Sequence, residues 1–433
     1  MEEKLRESMT AAAAFCRVFF LWIMFGAVCG CACGAVGAAF HHAVELAGDL
    51  RQAHPWLLWL LPLDGLAVVG LYKLLKTEGL GTNQILDQVH LGKGIRPALL
   101  PSIFFGTFLT HLCGGSAGRE GAALQMGGTI GLYISHFFRM DDRDRRTATQ
   151  AGMAAFFTAL FGTPVAATAF ALLVVNVGRL YDAAMMPALA ASLTAYGVSR
   201  LFGVEPTRFA VEVPAVSPEL LLRVALLAIL GAFVSVLFCE VIHFTERRLA
   251  TWLPNPWLRA FAGGAAIAAL SLLLGTDAYN GAGMAIITAA VEQGTARPEA
   301  FALKLLLTAL TLGAGFKGGE VVPSFFVGAT FGAAAGPLLG IPAGFGAAIG
   351  LISVFCGATN CPLASILLAV ELFGDRGLFF YAVSCVLSFA LSGYSGLYSS
   401  QTILYSKLKT RYINVKTNAH RMGADGELDN DRD

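Results

Sequence analysis

The sequence predicts an all-α integral membrane protein, a bundle of two repeats with many tilted and broken helices. Three observations predict it. First, 56% of the 433 residues are hydrophobic and only 14% are charged, against about 25% charged in soluble domains; the mean hydropathy is +0.66. Second, the apolar runs are continuous rather than alternating, which argues for helices and against a membrane β-barrel. They are cut by 49 glycines and 16 prolines, residues frequent in membrane helices that pack closely or break. Third, two glutamates stand in similar glycine-rich turns 200 residues apart, Glu120 and Glu320.

Thirty Lys+Arg against 29 Asp+Glu leave a net charge of +1, so nothing points to nucleic acid or another polyanion. The nine cysteines are scattered and give no disulfide framework. Cys29, Cys31 and Cys33, at i, i+2 and i+4, do not share one helical face and read as packing residues rather than a metal site. No metal-ligand spacing, nucleophile motif or phosphate loop supports an enzyme, and no cofactor or metal is expected.

Residues 1–10 are short and charged and read as a cytoplasmic N-terminus. The apolar stretch that follows is too long for a signal-peptide core, so 11–46 is taken as an uncleaved first membrane helix. Gly26, Gly30, Gly34 and Gly37 give it a small-residue face for close contact. A polar connection over 49–55 leads to a second span over 56–76, with Trp56 and Trp59 at one interface and Lys73 and Lys76 at the other. Segment 77–96 is no span; a short helix starting near Thr82 or Asn83, capped by one of them, fits it. The span over 97–115 opens on a proline, where a helix tolerates one. Gly114-Gly115-Ser116-Ala117-Gly118 breaks the chain, and a helix restarts at Arg119 or Glu120. Residues 139–146 read as a charged loop whose four arginines place it on the cytoplasmic side. Two short apolar segments, 147–160 and 164–177, are separated by Gly162-Thr163-Pro164, and 185–202 follows.

Residues 203–218 carry Pro206, Pro214 and Pro218 and read as the loop between a first repeat, 11–202, and a second, 219–404. The second repeat holds apolar segments over 220–244, closed by Glu246, Arg247 and Arg248, then 257–274, 284–291, 301–312, 321–339, 341–356, 362–373 and 378–392, with a final turn near Tyr398. The polar tail 405–433 is expected to be partly disordered. The repeat has a second anchor: Phe161-Gly162-Thr163-Pro164-Val165-Ala166 resembles Asn360-Cys361-Pro362-Leu363-Ala364, with prolines 198 residues apart. Repeats with broken helices point to a site at their interface, near the bilayer midplane.

Gly118-Arg119-Glu120-Gly121-Ala122 is the focus of the first repeat. A carboxylate in an apolar membrane segment is costly and is usually functional. The flanking glycines admit close backbone approach, and the free N–H groups of the helix start form an anion site. Gly318-Gly319-Glu320-Val321-Val322-Pro323 repeats the arrangement.

In order, Gly118-Arg119-Glu120-Gly121, Gln125 with Gly127-Gly128, Pro164-Val165-Ala166, Gly319 to Pro323 and Leu397-Tyr398-Ser399 resemble the CLC family of anion channels and anion/proton antiporters. The resemblance runs over roughly residues 12–404 and implies an inverted-repeat bundle and a homodimer with one pathway per subunit. It also implies a multi-pass protein of the plasma membrane, the bacterial inner membrane. Within the family the chain resembles the fluoride/proton antiporter branch. Gly79-Leu80-Gly81-Thr82-Asn83-Gln84 stands where chloride-type members carry Gly-Ser-Gly-Ile-Pro, and Gly319-Glu320-Val321-Val322-Pro323 where they carry an aromatic-containing Gly-x-Phe-x-Pro. That branch often has Thr before the proline; Val322 departs from it and removes a hydroxyl. The inner proton glutamate of chloride/proton members is missing, since Leu173, Val174 and Val175 stand in its place, and Glu320 offers another proton route.

The expected function is proton-coupled fluoride export, with a chloride channel or chloride/proton antiporter of the same fold as the alternative; the transported partners are fluoride (or chloride) and protons. Glu120, ionised, occupies the site; protonated, it leaves and the anion enters. The expected anion contacts are Thr82, Asn83, Gly121, Ala122, Val321, Val322 and Tyr398, with Gly118, Arg119, Gly319 and Pro323 as structural supports. Other readings stand beside these: Glu320 paired to Lys317 or Arg119, Asn83 as a plain helix cap, and Tyr398 as an interfacial aromatic. His111 reads as a packed histidine and Glu371 as structural.

Overall fold

The computed structural model describes residues 2–409 and 411–418. Among them are sixteen α-helices, eight before the connection at 203–217 and eight after it. The first eight are α1 (Glu2–Ala53), α2 (Leu61–Leu74), α3 (Thr82–Leu91), α4 (Leu99–Leu112), α5 (Glu120–Phe137), α6 (Asp142–Phe161), α7 (Pro164–Leu173) and α8 (Asp182–Leu201). The second eight are α9 (Pro218–Trp252), α10 (Pro256–Leu273), α11 (Met284–Glu292), α12 (Ala300–Ala314), α13 (Val321–Ala335), α14 (Ala343–Thr359), α15 (Pro362–Phe373) and α16 (Leu378–Leu391). Taken in order the two sets match in length class, a very long helix first and short ones in the middle.

Four stretches are long and apolar enough to cross a bilayer, Ala12–Ala53, Pro55–Leu74, Pro218–Trp252 and Pro256–Leu273. They are the first two members of each set. Several of the other helices are much shorter, α3, α7, α11 and α15 having 10, 10, 9 and 12 residues, and helix ends follow local chemistry. After α6 the chain turns through left-handed Gly162 (φ 69°), and after α14 through left-handed Asn360 (φ 58°), the usual way to end a helix. Pro164 and Pro362 then open α7 and α15 at the position where a missing N–H costs nothing.

Glycine sets the closest packing. Gly127 and Gly131 of α5 lie on the α6 backbone at Gly152 and Ala148, and Gly328 and Gly332 of α13 lie on α14 at Gly350 and Gly346. A Cβ added to Gly127 would stand 2.6 Å from that of Phe156, and one on Gly328 2.7 Å from the Leu351 Cα. Such overpacking costs about 1–3 kcal/mol in a close-packed interior. The small face expected on α1 is used in the same way: Gly26, Gly30 and Gly34 meet α8 at Ala191, Thr194 and Val198, and Gly37 meets Ala159 of α6. All nine cysteines are free; Cys29 and Cys33 are buried while Cys31 is exposed, as the helical period requires.

Several boundaries differ from the sequence reading. Residues 49–53 continue α1 rather than forming a connection, because helix formers run unbroken to Pro55 and Arg51 is tied to Asp277 at 2.9 Å. Most of 139–146 is helical: Asp141 caps α6 by accepting from the N–H groups of Arg143 and Asp144 (2.9 and 2.8 Å), with Asp142 and Asp144 in the first turn. Likewise α9 continues past Glu246-Arg247-Arg248 to Trp252 and stops before Pro254. The tail is partly ordered. Strands β1 (Asn176–Val177), β2 (Thr402–Tyr405) and β3 (Tyr412–Lys416) form a small sheet, β1 parallel and β3 antiparallel to β2, around Val177, Ile403 and Val415. The rest of the expected disordered tail, 419–433, lies outside the described residues.

Candidate functional site

The two glutamate turns meet. The Gly118 N–H donates to the Gly319 carbonyl oxygen and the Gly319 N–H to that of Gly118, both at 2.7 Å. This antiparallel pair brings the starts of α5 and α13 together, and it needs both glycines. A Cβ on Gly118 would stand 2.9 Å from the Pro323 ring, and one on Gly319 2.9 Å from the Glu120 nitrogen. Gly118, Gly319 and Pro323 are thus the frame of the site.

The Glu120 side chain is fully buried. Its Oε2 accepts from the Arg119 N–H at 2.9 Å and from the Val322 N–H, at the start of α13, at 3.3 Å. Its Oε1 accepts no hydrogen bond and lies 3.9 Å from Arg119 Nε. The carboxylate of one repeat therefore sits on a free N–H at the helix start of the other, a position suited to an anion. Val321 and Ala122 are buried beside it. Glu320 precedes α13 as its N-cap but makes no capping bond. Its Oε2 is buried without a partner and lies on the Gly121 side, 3.2 Å from where a Cβ there would be. The alternative reading, an ion pair of Glu320 with Lys317 or Arg119, does not form among the described residues; Lys317 Nζ lies instead over the Tyr72 ring at 4.5 Å.

Thr82 and Asn83 open α3, but neither caps it; the cap position is Gly81, with no side-chain bond. Thr82 Oγ1 donates to the Gly121 carbonyl at 3.4 Å and accepts from Gln125 Nε2 at 3.2 Å. Asn83 Oδ1 accepts from the Ser400 N–H at 3.0 Å. That bond holds α3 to the loop carrying Tyr398 and leaves the Asn83 amide NH₂ to donate. Tyr398 is 2% exposed, so it is no interfacial aromatic, and its hydroxyl has no hydrogen-bond partner. Its loop is pinned by Gln401, whose Nε2 donates to the Val174 and Thr359 carbonyls, both at 2.9 Å. Gln125, Ser400 and Gln401 were not singled out as site residues from sequence. A polar Gln125 on the apolar helix after Glu120 was the readable signal for one of them; the other two act through partners distant in the chain.

A cavity of about 1000 Å³ opens onto Arg119 and is also lined by Glu45, Arg51, His111 and Asn280. His111 is packed as expected, with Nδ1 on the Thr107 carbonyl of its own helix at 2.9 Å. Fully buried Lys304 lies behind the cavity wall, where Nζ donates to the carbonyls of Tyr279 (3.1 Å) and Gly281 (2.6 Å). Glu371, on α15, accepts from the N–H groups of Val165 (3.1 Å) and Ala166 (2.8 Å) and so caps the start of α7, a structural role.

Two sets of broken helices meeting at a buried carboxylate define an inverted-repeat membrane protein of the anion-transport class. The family model described as voltage gated chloride channel matches residues 64–393, and the chain belongs to that family, the CLC anion channels and transporters. It is 38% identical over 398 residues to a chloride/fluoride channel protein of Pseudomonas syringae pv. tomato, covering 89% of this chain and 87% of the relative. It is 27% identical over 437 residues to the H(+)/Cl(-) exchange transporter ClcA of Vibrio cholerae, covering 92% and 91%. A crystal structure of a CLC-type fluoride/proton antiporter superposes with a TM-score of 0.86 at 32% identity, over 88% of this chain and 98% of that one. A slow cyanobacterial Cl-/H+ antiporter shares the fold, with a TM-score of 0.73 at 22% identity over 86% and 94%.

Proposed function

We propose that this chain is a proton-coupled fluoride exporter, a fluoride/proton antiporter in which Glu120 and the anion compete for one position. The observation that carries the reading is the Glu120 carboxylate held on the Val322 N–H across the repeat interface. When Glu120 takes a proton its hold on that N–H weakens, the side chain swings out, and an anion takes its place. Fluoride is small and strongly hydrated, so it needs several close donors. The backbone N–H groups at Gly121, Ala122, Val321 and Val322, the Asn83 amide and the unpartnered Tyr398 hydroxyl supply them; the Thr82 hydroxyl is committed to Gly121. Glu320, with a free buried oxygen, carries the proton onward. The names of the relatives at 38% and 32% identity, which include fluoride, support the choice of anion. The working unit is a homodimer in the bacterial inner membrane, each subunit built of repeats 11–202 and 219–404 and holding its own pathway.

The test is efflux from liposomes containing the purified chain, read with a fluoride electrode, with and without a proton gradient. Fluoride should leave faster than chloride and should move protons the opposite way. Chloride efflux as fast as fluoride would favour the alternative chloride channel or chloride/proton antiporter, and fluoride current without proton movement would favour a channel.

A further inference from the structure

Near the polar end of α1, His41, His42 and Glu45 converge, and Glu45 lines the cavity that opens onto Arg119. One ligand atom from each lies within 4.8 Å of the others. His41 Nε2 is 3.0 Å from Glu45 Oε1, and His42 Nδ1 is 3.5 Å from Glu45 Oε2. Ligands around a tetrahedral zinc ion stand about 3.3 Å apart when each bond is about 2.0–2.1 Å, so both separations suit one ion.

The second observation is the orientation of His42. Its Nε2 lies 2.8 Å from the Phe202 carbonyl oxygen. A carbonyl only accepts, so Nε2 carries the hydrogen. In the neutral ring Nδ1 is then a bare lone pair facing a carboxylate oxygen, two acceptors that repel unless a cation lies between them. A backbone carbonyl on the far ring nitrogen is the support that metal-bound histidines have. His41 lacks it: the ring is 7% exposed and its Nδ1 is buried with no partner. The site therefore leans on His42 and Glu45, whose side chains are 50% and 55% exposed and open to an ion from water.

We propose that His41, His42 and Glu45 form a site for one zinc-class divalent cation, with water completing the coordination. Glu45 and Arg119 line the same cavity, so the ion would sit beside the cavity that reaches Arg119.

Zinc titrated into the purified full-length chain, followed calorimetrically without transport, reads the site independently of the transported anion. One ion per chain is expected, with affinity reduced more than about tenfold in His42→Gln and in Glu45→Gln. Thermal melting without zinc checks that each variant is folded. Zinc binding that is absent, or equally tight in both folded variants, overturns the proposal. Should a variant fail to fold, His41→Ala replaces it, with a smaller loss expected and an unchanged affinity counting against the site.

Discussion

The two halves of the molecule repeat each other closely, with α5 starting at Glu120 and α13 at Val321, 201 residues on, yet their glutamates behave differently. Glu120 lies inside its helix start and reaches across to the Val322 N–H. Glu320 lies one place before its helix, and no reciprocal bond to the first repeat forms among the described residues. A further asymmetry appears one helix hairpin away. Glu371 of α15 caps the start of α7, whereas Leu173, 198 residues earlier on α7, has no side-chain acceptor to return. The repeated frame is symmetric, and the carboxylates are where the symmetry is broken.

The largest effect is expected where the crossing is made. Glu120→Gln keeps the shape but removes the exchangeable carboxylate. We predict that proton transport falls by at least about 100-fold while fluoride still passes, read from simultaneous pH and fluoride traces on liposomes. Persistent coupled proton flux would remove Glu120 from the mechanism. Glu320→Gln should weaken coupling less, about tenfold, equivalent to about 1.4 kcal/mol on the barrier; unchanged proton flux would make the second glutamate a relic of the repeat.

Effects on the frame should be smaller. Gly319→Ala places a methyl against the Glu120 and Gly121 nitrogens, and a loss of about 2–3 kcal/mol is expected. Gly81→Ala, with open space at its Cβ and extended backbone, should stay within about 0.5 kcal/mol. The unfolding midpoints of the two in detergent make the comparison. Glu371→Ala, which strands two helix-start N–H groups, should cost about 1–2 kcal/mol with transport per folded molecule unchanged; slowed transport would mean that α7 does more than hold position. Tyr398→Phe tests the hydroxyl alone. Its hydroxyl makes no hydrogen bond, so stability should shift by less than about 1 kcal/mol, while weaker fluoride binding would identify the hydroxyl as an anion contact.

Much of this frame is legible in the sequence because its punctuation is local. Pro362 at the first position and Gly374 just beyond bound α15 as read, and the offsets of the glutamates and prolines give the repeat. The ends of α1 and α9 are not legible from hydropathy, which follows the bilayer, whereas the helices run on through polar residues to just short of Pro55 and Pro254. Asn83 shows the other failure. A residue of that type at a helix start reads as a cap, but its carbonyl oxygen is taken by Ser400, 317 residues away, and no local pattern encodes that. The alternative pairing of Glu320 with Lys317 fails for a related reason: closeness in sequence does not keep Lys317 at the carboxylate, and its Nζ lies over the Tyr72 ring. The surroundings of His41, His42 and Glu45 are hidden in the same way: the Phe202 carbonyl that orients His42 lies 160 residues on and belongs to the backbone.

The reciprocal bonds between Gly118 and Gly319 have a mechanical meaning. They act as a rivet through the two halves at the point nearest both carboxylates. Sliding one half along the other would strain both bonds at once, because they run in opposite senses across the same pair of residues. A device riveted at its working point is poor at rocking and good at letting a small part swing. In the proposed exchange the moving part is then the Glu120 side chain against a stationary frame, one carboxylate arm rather than half a protein.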